Sequence, residues 1–266
     1  MTHQYKGAIF FDVDGTLIDG LDGIYQPTER TKEALRRLRQ NGYMTILASG
    51  RSMLYLPEFD LQFDGYITSN GAHVEVDGQT IADRFIPEEN LRELAHYFDV
   101  HHMNYMIEGS QGAYCNDMRE ESFQTLLRIF NLPAHVFHPL TDICCIPVHK
   151  LMISYHNLEQ RDAFIHEYGD RYEITPQPGN LCSDIGQKNV TKATGVEELI
   201  RHFDLNRMDT YAFGDADNDY EMFCAVGNGI AMGRHSAKLE TVAKYITQTV
   251  REEGIAEALH HLGLIQ

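Results

Sequence analysis

Apolar residues fall along this chain in short runs that stop abruptly at polar ones. Residues 6–12 are apolar through Ala8, Ile9, Phe10 and Phe11 and end on Asp12, as a strand buried on both faces of a parallel sheet would. Pro27 and Thr28 open a helix over residues 30–40, with Leu35 and Leu38 on one side and basic residues on the other, and Asn41-Gly42 closes it. Residues 44–48 form a second apolar run, ending at Ser49-Gly50-Arg51. Residues 65–82 predict strands interrupted at Asn70-Gly71, with a hairpin turn at Asp77-Gly78.

The last third keeps this rhythm. Residues 196–203 predict a helix, 210–213 a strand ending at Gly214-Asp215, 220–226 a helix, 229–232 a strand and 236–244 a helix. Strands alternating with helices imply an α/β fold with a parallel sheet covered on both faces. Ligands of such sheets sit beyond the carboxyl ends of the strands, where Asp12, Ser49 and Asp215 all fall. Residues 83–185 have a different texture, with helices over 87–98, 120–130 and 158–168 and strands over 104–107, 150–155 and 172–175. They predict an α+β domain inserted into a core made of residues 1–82 and 186–266. No internal repeat or low-complexity segment interrupts either part.

The chain of 266 residues is 43% hydrophobic and 23% charged, an ordinary globular balance. Its formal charge of −17 argues against nucleic acid as a partner, because phosphate backbones need a basic face. No apolar run reaches the roughly 18 residues that would cross a bilayer, and residues 1–6 lead straight into the first strand without a signal-peptide layout. A cytoplasmic monomer or homodimer is the expectation. The five cysteines include no Cys-x-x-Cys pair and read as reduced thiols. The 14 histidines include no His-Glu-x-x-His motif, and His101-His102 and His260-His261 are adjacent pairs whose side chains diverge.

Candidate chemistry collects at the strand ends. Asp12 and Asp14 can turn toward one point once the strand opens at Gly15, one to attack phosphorus and the other to handle a proton. Paired acids at one site also call for a cation, and Mg2+ takes its oxygens from one or two carboxylates plus a substrate phosphate. Ser49 and the Gly50 amide can hold a phosphoryl oxygen. Lys188 and Lys192 are both candidates for neutralising phosphate charge, and Lys192 sits at a helix start, where backbone amides favour an anion. Asp215, Asp217, Asn218 and Asp219 put more acid into one loop than a turn needs. An EF-hand would need glutamate where Val226 stands.

Together these segments resemble the haloacid dehalogenase superfamily, and within it the Cof-type phosphatases, over essentially the whole chain. The motifs are Asp12-Val13-Asp14-Gly15-Thr16, Ser49-Gly50-Arg51, Thr191-Lys192, and Gly214-Asp215 through Asn218-Asp219, with Thr68 to Ala72 and Ile230 to Gly233 as supporting segments. The resemblance implies a Rossmann-like core and an α/β cap between the second and third motifs that closes over the site. It implies Mg2+-dependent hydrolysis of a small phosphorylated metabolite, a sugar phosphate or a phosphorylated cofactor. Asp12 would be the nucleophile and Asp14 the acid and base. Asp12, the Asp14 carbonyl and Asp215 would hold the metal with Asp219 beside them, and Val13, Ser49, Gly50, Lys192 and Asn218 would hold the phosphate. Tyr114, Asn116 and Asn180 are candidate cap contacts.

Two departures stand out. Ala193 replaces the glycine usual after the third-motif lysine, which keeps Lys188 in view as a substitute, and Arg234 replaces the asparagine that usually follows Ala-Met-Gly. Phosphomannomutase-like transfer is the alternative enzyme reading, but its longer Gly-Gly-Asn-Asp loop is absent. A non-enzymatic regulatory protein on the same fold is the other alternative, and it would not need the full set of catalytic positions found here.

Overall fold

The computed structural model describes residues 5–129, 132–177 and 181–266. In chain order the elements are β1 (Gly7–Phe11), α1 (Glu29–Gln40), β2 (Tyr43–Ala48), β3 (Gly65–Thr68), β4 (His73–Val76) and β5 (Gln79–Asp83). There follow α2 (Glu88–Val100), β6 (Asn104–Gly109), β7 (Gly112–Cys115), α3 (Glu121–Ile129), β8 (Phe137–Pro139), β9 (Lys150–Ser154), α4 (Leu158–Tyr168), β10 (Tyr172–Pro176) and β11 (Cys182–Gln187). The chain ends with α5 (Lys192–His202), β12 (Thr210–Gly214), α6 (Tyr220–Ala225), β13 (Asn228–Ala231), α7 (Ala237–Glu240), β14 (Tyr245–Ile246) and α8 (Gly254–His261). These elements form two compact units. The first takes the chain up to Gly50, Glu58–Ala82 and Thr191–Gln266; the second takes Arg51–Pro57 and Asp83–Val190.

The first unit is built on a sheet of order β14-β13-β12-β1-β2-β3-β4-β5, parallel from β14 to β3, with β4 antiparallel to β3. β1 is buried at every residue, so its side chains must satisfy both faces. Ala8 and Phe10 join Met44, Ile46, Ala212, Val196 and Leu199 of α5 and Met222 of α6 in one core. Ile9 and Phe11 alternate to the other face, where Phe11 stacks on Phe213 at 5.2 Å. The buried residues of α1 (Ala34, Leu35, Leu38) and of α8 (Ile255, Ala258, Leu259) lie outside the first core and cover this face.

Strand order places the site. From β1 the chain moves to β2 on one side and later returns to β12 on the other, so the direction of winding reverses between β1 and β12. Crevices of open α/β sheets lie at that switch point, beyond the carboxyl ends of the strands. Phe11 is paired with Phe213 and with Leu47, which puts the next residue, Asp12, level with the ends of both neighbours.

The second unit has a six-stranded sheet of order β10-β11-β9-β6-β7-β8, antiparallel except for the β7–β8 pair. Side-chain alternation divides its two cores. Tyr105, Ile107, Leu151 and Ile153 meet Leu94 and Phe98 of α2 and Phe164 of α4. Met106 and Met152 meet Phe123 and Leu126 of α3 on the opposite face, with Tyr55 from the 51–57 excursion. Buried on that face too is an ionic cluster: Lys150 Nζ lies 3.1 Å from Asp184 and 3.5 Å from Glu108, and the Tyr55 hydroxyl donates to Glu108.

The predicted helix over 236–244 is shorter than patterning suggests. Only Ala237–Glu240 is helical, with Leu239 alone buried, since one apolar residue cannot anchor a longer amphipathic face.

Candidate active site

Hydrophobic burial fixes β1, and Asp12 emerges as the first polar residue at its carboxyl edge. Its amide still donates to the Phe213 carbonyl at 3.0 Å, and the side chain is 6% exposed. The chain then doubles back. The Val13 carbonyl accepts the Leu17 and Ile18 amides, each at 3.0 Å, and the Gly15 amide donates to the Ile18 carbonyl at 2.7 Å. Gly15 has a φ of 88°, and a Cβ there would lie 2.1 Å from Asp215 Oδ2. Only glycine lets this loop run so close to that carboxylate. Asp14, just before it, is exposed.

The opposite wall follows β12. Asp219 Oδ2 accepts the amides of Asp215 at 3.0 Å and Ala216 at 3.1 Å, closing the loop as a cap closes a helix start. Its Oδ1 accepts the Lys192 ammonium at 2.6 Å, and the same ammonium reaches Asp12 Oδ1 at 2.5 Å. Lys192 is the first residue of α5 and 1% exposed. Thr194 pins the residue before it, accepting the Thr191 amide at 3.2 Å and donating to the Thr191 carbonyl at 2.7 Å.

One ammonium therefore faces three carboxylates, for Asp12, Asp215 and Asp219 each offer an oxygen within 4.8 Å of the others. Burial, with Asp12 and Asp219 adding to it, pushes the Asp215 carboxyl up to about 9. Burial pushes Asp12 up to about 7 against the pull of Lys192. Burial opposes the charge on Lys192, but Asp12 and Asp219 more than offset it and hold the ammonium above its usual range. The cluster lacks positive charge. With hard oxygen donors only, it fits a divalent cation such as Mg2+ better than a thiolate- or imidazole-loving metal. Asp219 spends both oxygens on Lys192 and the loop amides, which leaves Asp12 and Asp215 as the carboxylates with an oxygen to offer.

These shifts have a signed consequence. Without metal, Asp215 binds a proton in the folded state between its ordinary 3.8 and about 9, a range in which the unfolded chain has released it. Folded stability therefore falls as pH rises through that window. Asp215→Asn removes the penalty, so at pH 9 in chelator the variant should melt several degrees above the parent, and the gap should close toward pH 4. A thermal melt across pH checks this; equal melting temperatures at pH 9 would remove the electrostatic account of the cluster.

A polar shelf lies on the β2 side. Ser49 is 2% exposed, donates its amide to the Ile67 carbonyl at 2.8 Å and accepts the Asn70 amide at 3.1 Å. Asn218 donates from its side chain to Asn70 Oδ1 at 3.4 Å, and a Cβ on Gly50 would lie 3.0 Å from that same oxygen. Ser69, Asn70 and Gly71 all have positive φ, at 50°, 53° and 95°. Such left-handed backbone at two non-glycine residues costs free energy and persists where a site holds it in place. Patterning marks Asn70 only as a turn residue, yet the structure makes it the link between Ser49-Gly50 and Asn218.

Other candidates are placed elsewhere. Lys188, in the second unit, donates to the carbonyls of Gly169 at 2.8 Å and Tyr172 at 3.5 Å, so Lys192 is the lysine at Asp12 despite Ala193. Asn116 spends its amide on backbone, accepting from Tyr105 and Asp117 and donating to Met103. The Tyr114 ring meets His138 at 5.6 Å. Asn180 lies outside the described residues. Among the described residues no helix is long and apolar enough to cross a membrane.

Comparison with known proteins identifies the family. Residues 9–259 match the family of haloacid dehalogenase-like hydrolases. The protein YkrA of Bacillus subtilis (strain 168) is 29% identical over 264 residues, covering 97% of this chain and 98% of its own. An HMP-PP phosphatase of Yersinia enterocolitica is 29% identical over 274 residues, covering 94% of this chain and 93% of its own. Among solved structures, the phosphatase BT1666 of Bacteroides thetaiotaomicron superposes with a TM-score of 0.85 at 26% identity, over 99% of this chain and 97% of its own. The subclass IIB sugar phosphatase BT4131 gives 0.82 at 25% identity, over 97% and 100%. The chain thus belongs to the haloacid dehalogenase-like hydrolase family, as one of its phosphatases.

Proposed function

We propose that the protein hydrolyses a small phosphomonoester, a sugar phosphate or a phosphorylated cofactor, through an aspartyl-phosphate on Asp12, with Mg2+ as cofactor. The observation that carries this reading is the Asp12 carboxylate, buried at the end of β1 against Lys192, with Asp215 and Asp219 within 4.8 Å. An acid so placed is a shielded nucleophile beside a ready cation.

A carboxylate oxygen of Asp12 attacks phosphorus, and the bond from phosphorus to the ester oxygen breaks as Asp14 gives the departing alkoxide its proton. Asp14 then takes a proton from the water that attacks the same phosphorus, and the bond to Asp12 breaks to release inorganic phosphate. Lys192, Asn218, the Ser49 hydroxyl and the amides of Val13 and Gly50 receive charge on the phosphoryl oxygens. Asp12, the Asp14 carbonyl and Asp215 would hold Mg2+, and Asp219 would keep Lys192 and the loop in place. The ion would supply the positive charge that the three carboxylates lack and that a phosphoryl group needs. The similarity to the sugar phosphatase BT4131 supports the sugar-phosphate class, and that to the HMP-PP phosphatase of Yersinia supports a small phosphorylated metabolite.

A panel of phosphorylated metabolites, each assayed with Mg2+ and with EDTA, tests the reading. At least one small monoester should release phosphate with Mg2+, and chelation should reduce the rate by about 10³-fold or more. Turnover unaffected by EDTA would sink the metal role. Mannose 1-phosphate in the same panel separates hydrolysis from mutase chemistry, since transfer would yield mannose 6-phosphate.

A further inference from the structure

Arg234 is the residue that departs from the usual amide, and the structure gives it two partners. Its guanidinium donates to Asp19 Oδ2 at 2.7 Å and reaches both oxygens of Asp22 at 3.5 Å. Asp19 is 5% exposed, and its other oxygen accepts the amides of Leu21 at 3.0 Å and Asp22 at 3.4 Å. Asp19 and Ile24 exchange backbone hydrogen bonds at 2.8 Å each, and Asp14 bridges to Ile18. Residues 14–18 thus close a tight turn that runs directly into the hairpin closed by Asp19 and Ile24, with Asp14 at the start of the turn. Arg251 fastens the same tip, donating to the Asp22 carbonyl at 2.7 Å.

The other end of the connection lies at the acidic cluster. Arg234 sits in the turn after β13, where the Met232 amide donates to the Gly214 carbonyl at 3.0 Å and the Ser236 amide to the Asp215 carbonyl at 2.7 Å. One five-residue turn therefore holds the backbone of Asp215 and, through Arg234, the hairpin that follows the Asp14 turn.

We propose that Arg234 is a positioning residue for proton transfer: by clamping Asp19 and Asp22 it fixes the hairpin after Asp14, and with it the Asp14 turn, against the Asp215 loop. This rests on the role given to Asp14 above. The guanidinium is half-exposed and Asp19 keeps the Leu21 and Asp22 amides as partners without it, so the pair contributes little to folding and the clamp acts on geometry, to which catalysis is far more sensitive than stability is.

The test uses two substrates of similar shape. Phenyl phosphate has a poor leaving group that needs Asp14's proton, and p-nitrophenyl phosphate has a good one that hardly does. Arg234→Ala should lower kcat/KM about tenfold for phenyl phosphate and about twofold for p-nitrophenyl phosphate, while melting within about 2 °C of the parent. Arg234→Lys keeps a cation on Asp19 without the fork to Asp22 and should recover part of the loss. Equal losses on both substrates, or none on either, would overturn the clamp. Asp14→Asn, assayed alongside, separates the two ideas. If it shows the leaving-group dependence and Arg234→Ala does not, the clamp falls and the role of Asp14 stands. If neither shows it, the role of Asp14 falls and the clamp with it.

Discussion

Asp12→Asn is expected to reduce turnover of p-nitrophenyl phosphate with Mg2+ present by on the order of 10⁴-fold or more. An amide oxygen is a poor nucleophile toward phosphorus, yet the amide has the shape of the carboxylate and can still accept a hydrogen bond from Lys192. Asp12 is 6% exposed in a cluster of three acids and one lysine, so losing its charge should not unfold the protein. Burial and its acidic neighbours already push the carboxyl up to about 7. The variant should therefore melt no lower than the parent in chelator at pH 8, which separates lost chemistry from lost structure. A variant that still turns over within tenfold of the parent would show that another group, or water directly, attacks the phosphorus.

The fold is legible in the sequence where burial is complete and local. β1, β2 and β12 are short apolar runs because both of their faces are covered, and such runs end where the first polar residue appears. That is why the strand-end residues stand out in the sequence. The partners of those residues are less legible. Lys192 meets Asp12 across 180 positions and Asp219 across 27, and no periodicity encodes such contacts. The sequence favours Lys192 but leaves Lys188 as a substitute, and the chain path separates them. Arg234 is visible as a departure, but its grip on Asp19, 215 positions away, depends on a hairpin that patterning does not predict. Glu108, Lys150 and Asp184 are hidden for the opposite reason. They occupy strand positions that alternate with Ile107, Leu151 and Ile185, and so read as a solvated face, when α3 and Tyr55 cover them. Strand alternation reveals two faces but not whether the second one is wet.

Lys192→Met should damage folding and chemistry together. The side chain is 1% exposed, and its ammonium bonds Asp12 at 2.5 Å and Asp219 at 2.6 Å. Methionine roughly keeps the volume and removes the charge, leaving three carboxylates with no counter-ion among them. Breaking a buried pair from one side costs about 3–5 kcal/mol, and losing a charge-stabilising donor costs about 10²–10³-fold in turnover. The sign of the pH response follows. With the ammonium gone the buried acids hold their protons more strongly, so the folded state binds more protons than the unfolded one, and the deficit in melting temperature should shrink as pH is lowered toward 5. A second substitution tests the cause: Asp219→Asn added to Lys192→Met removes one of the stranded charges and should recover stability without recovering turnover. Calorimetry of the parent, both single variants and the double variant gives the coupling. If the double variant is no more stable than Lys192→Met alone, the lysine is holding the loop by its packing rather than by neutralising Asp12 and Asp219.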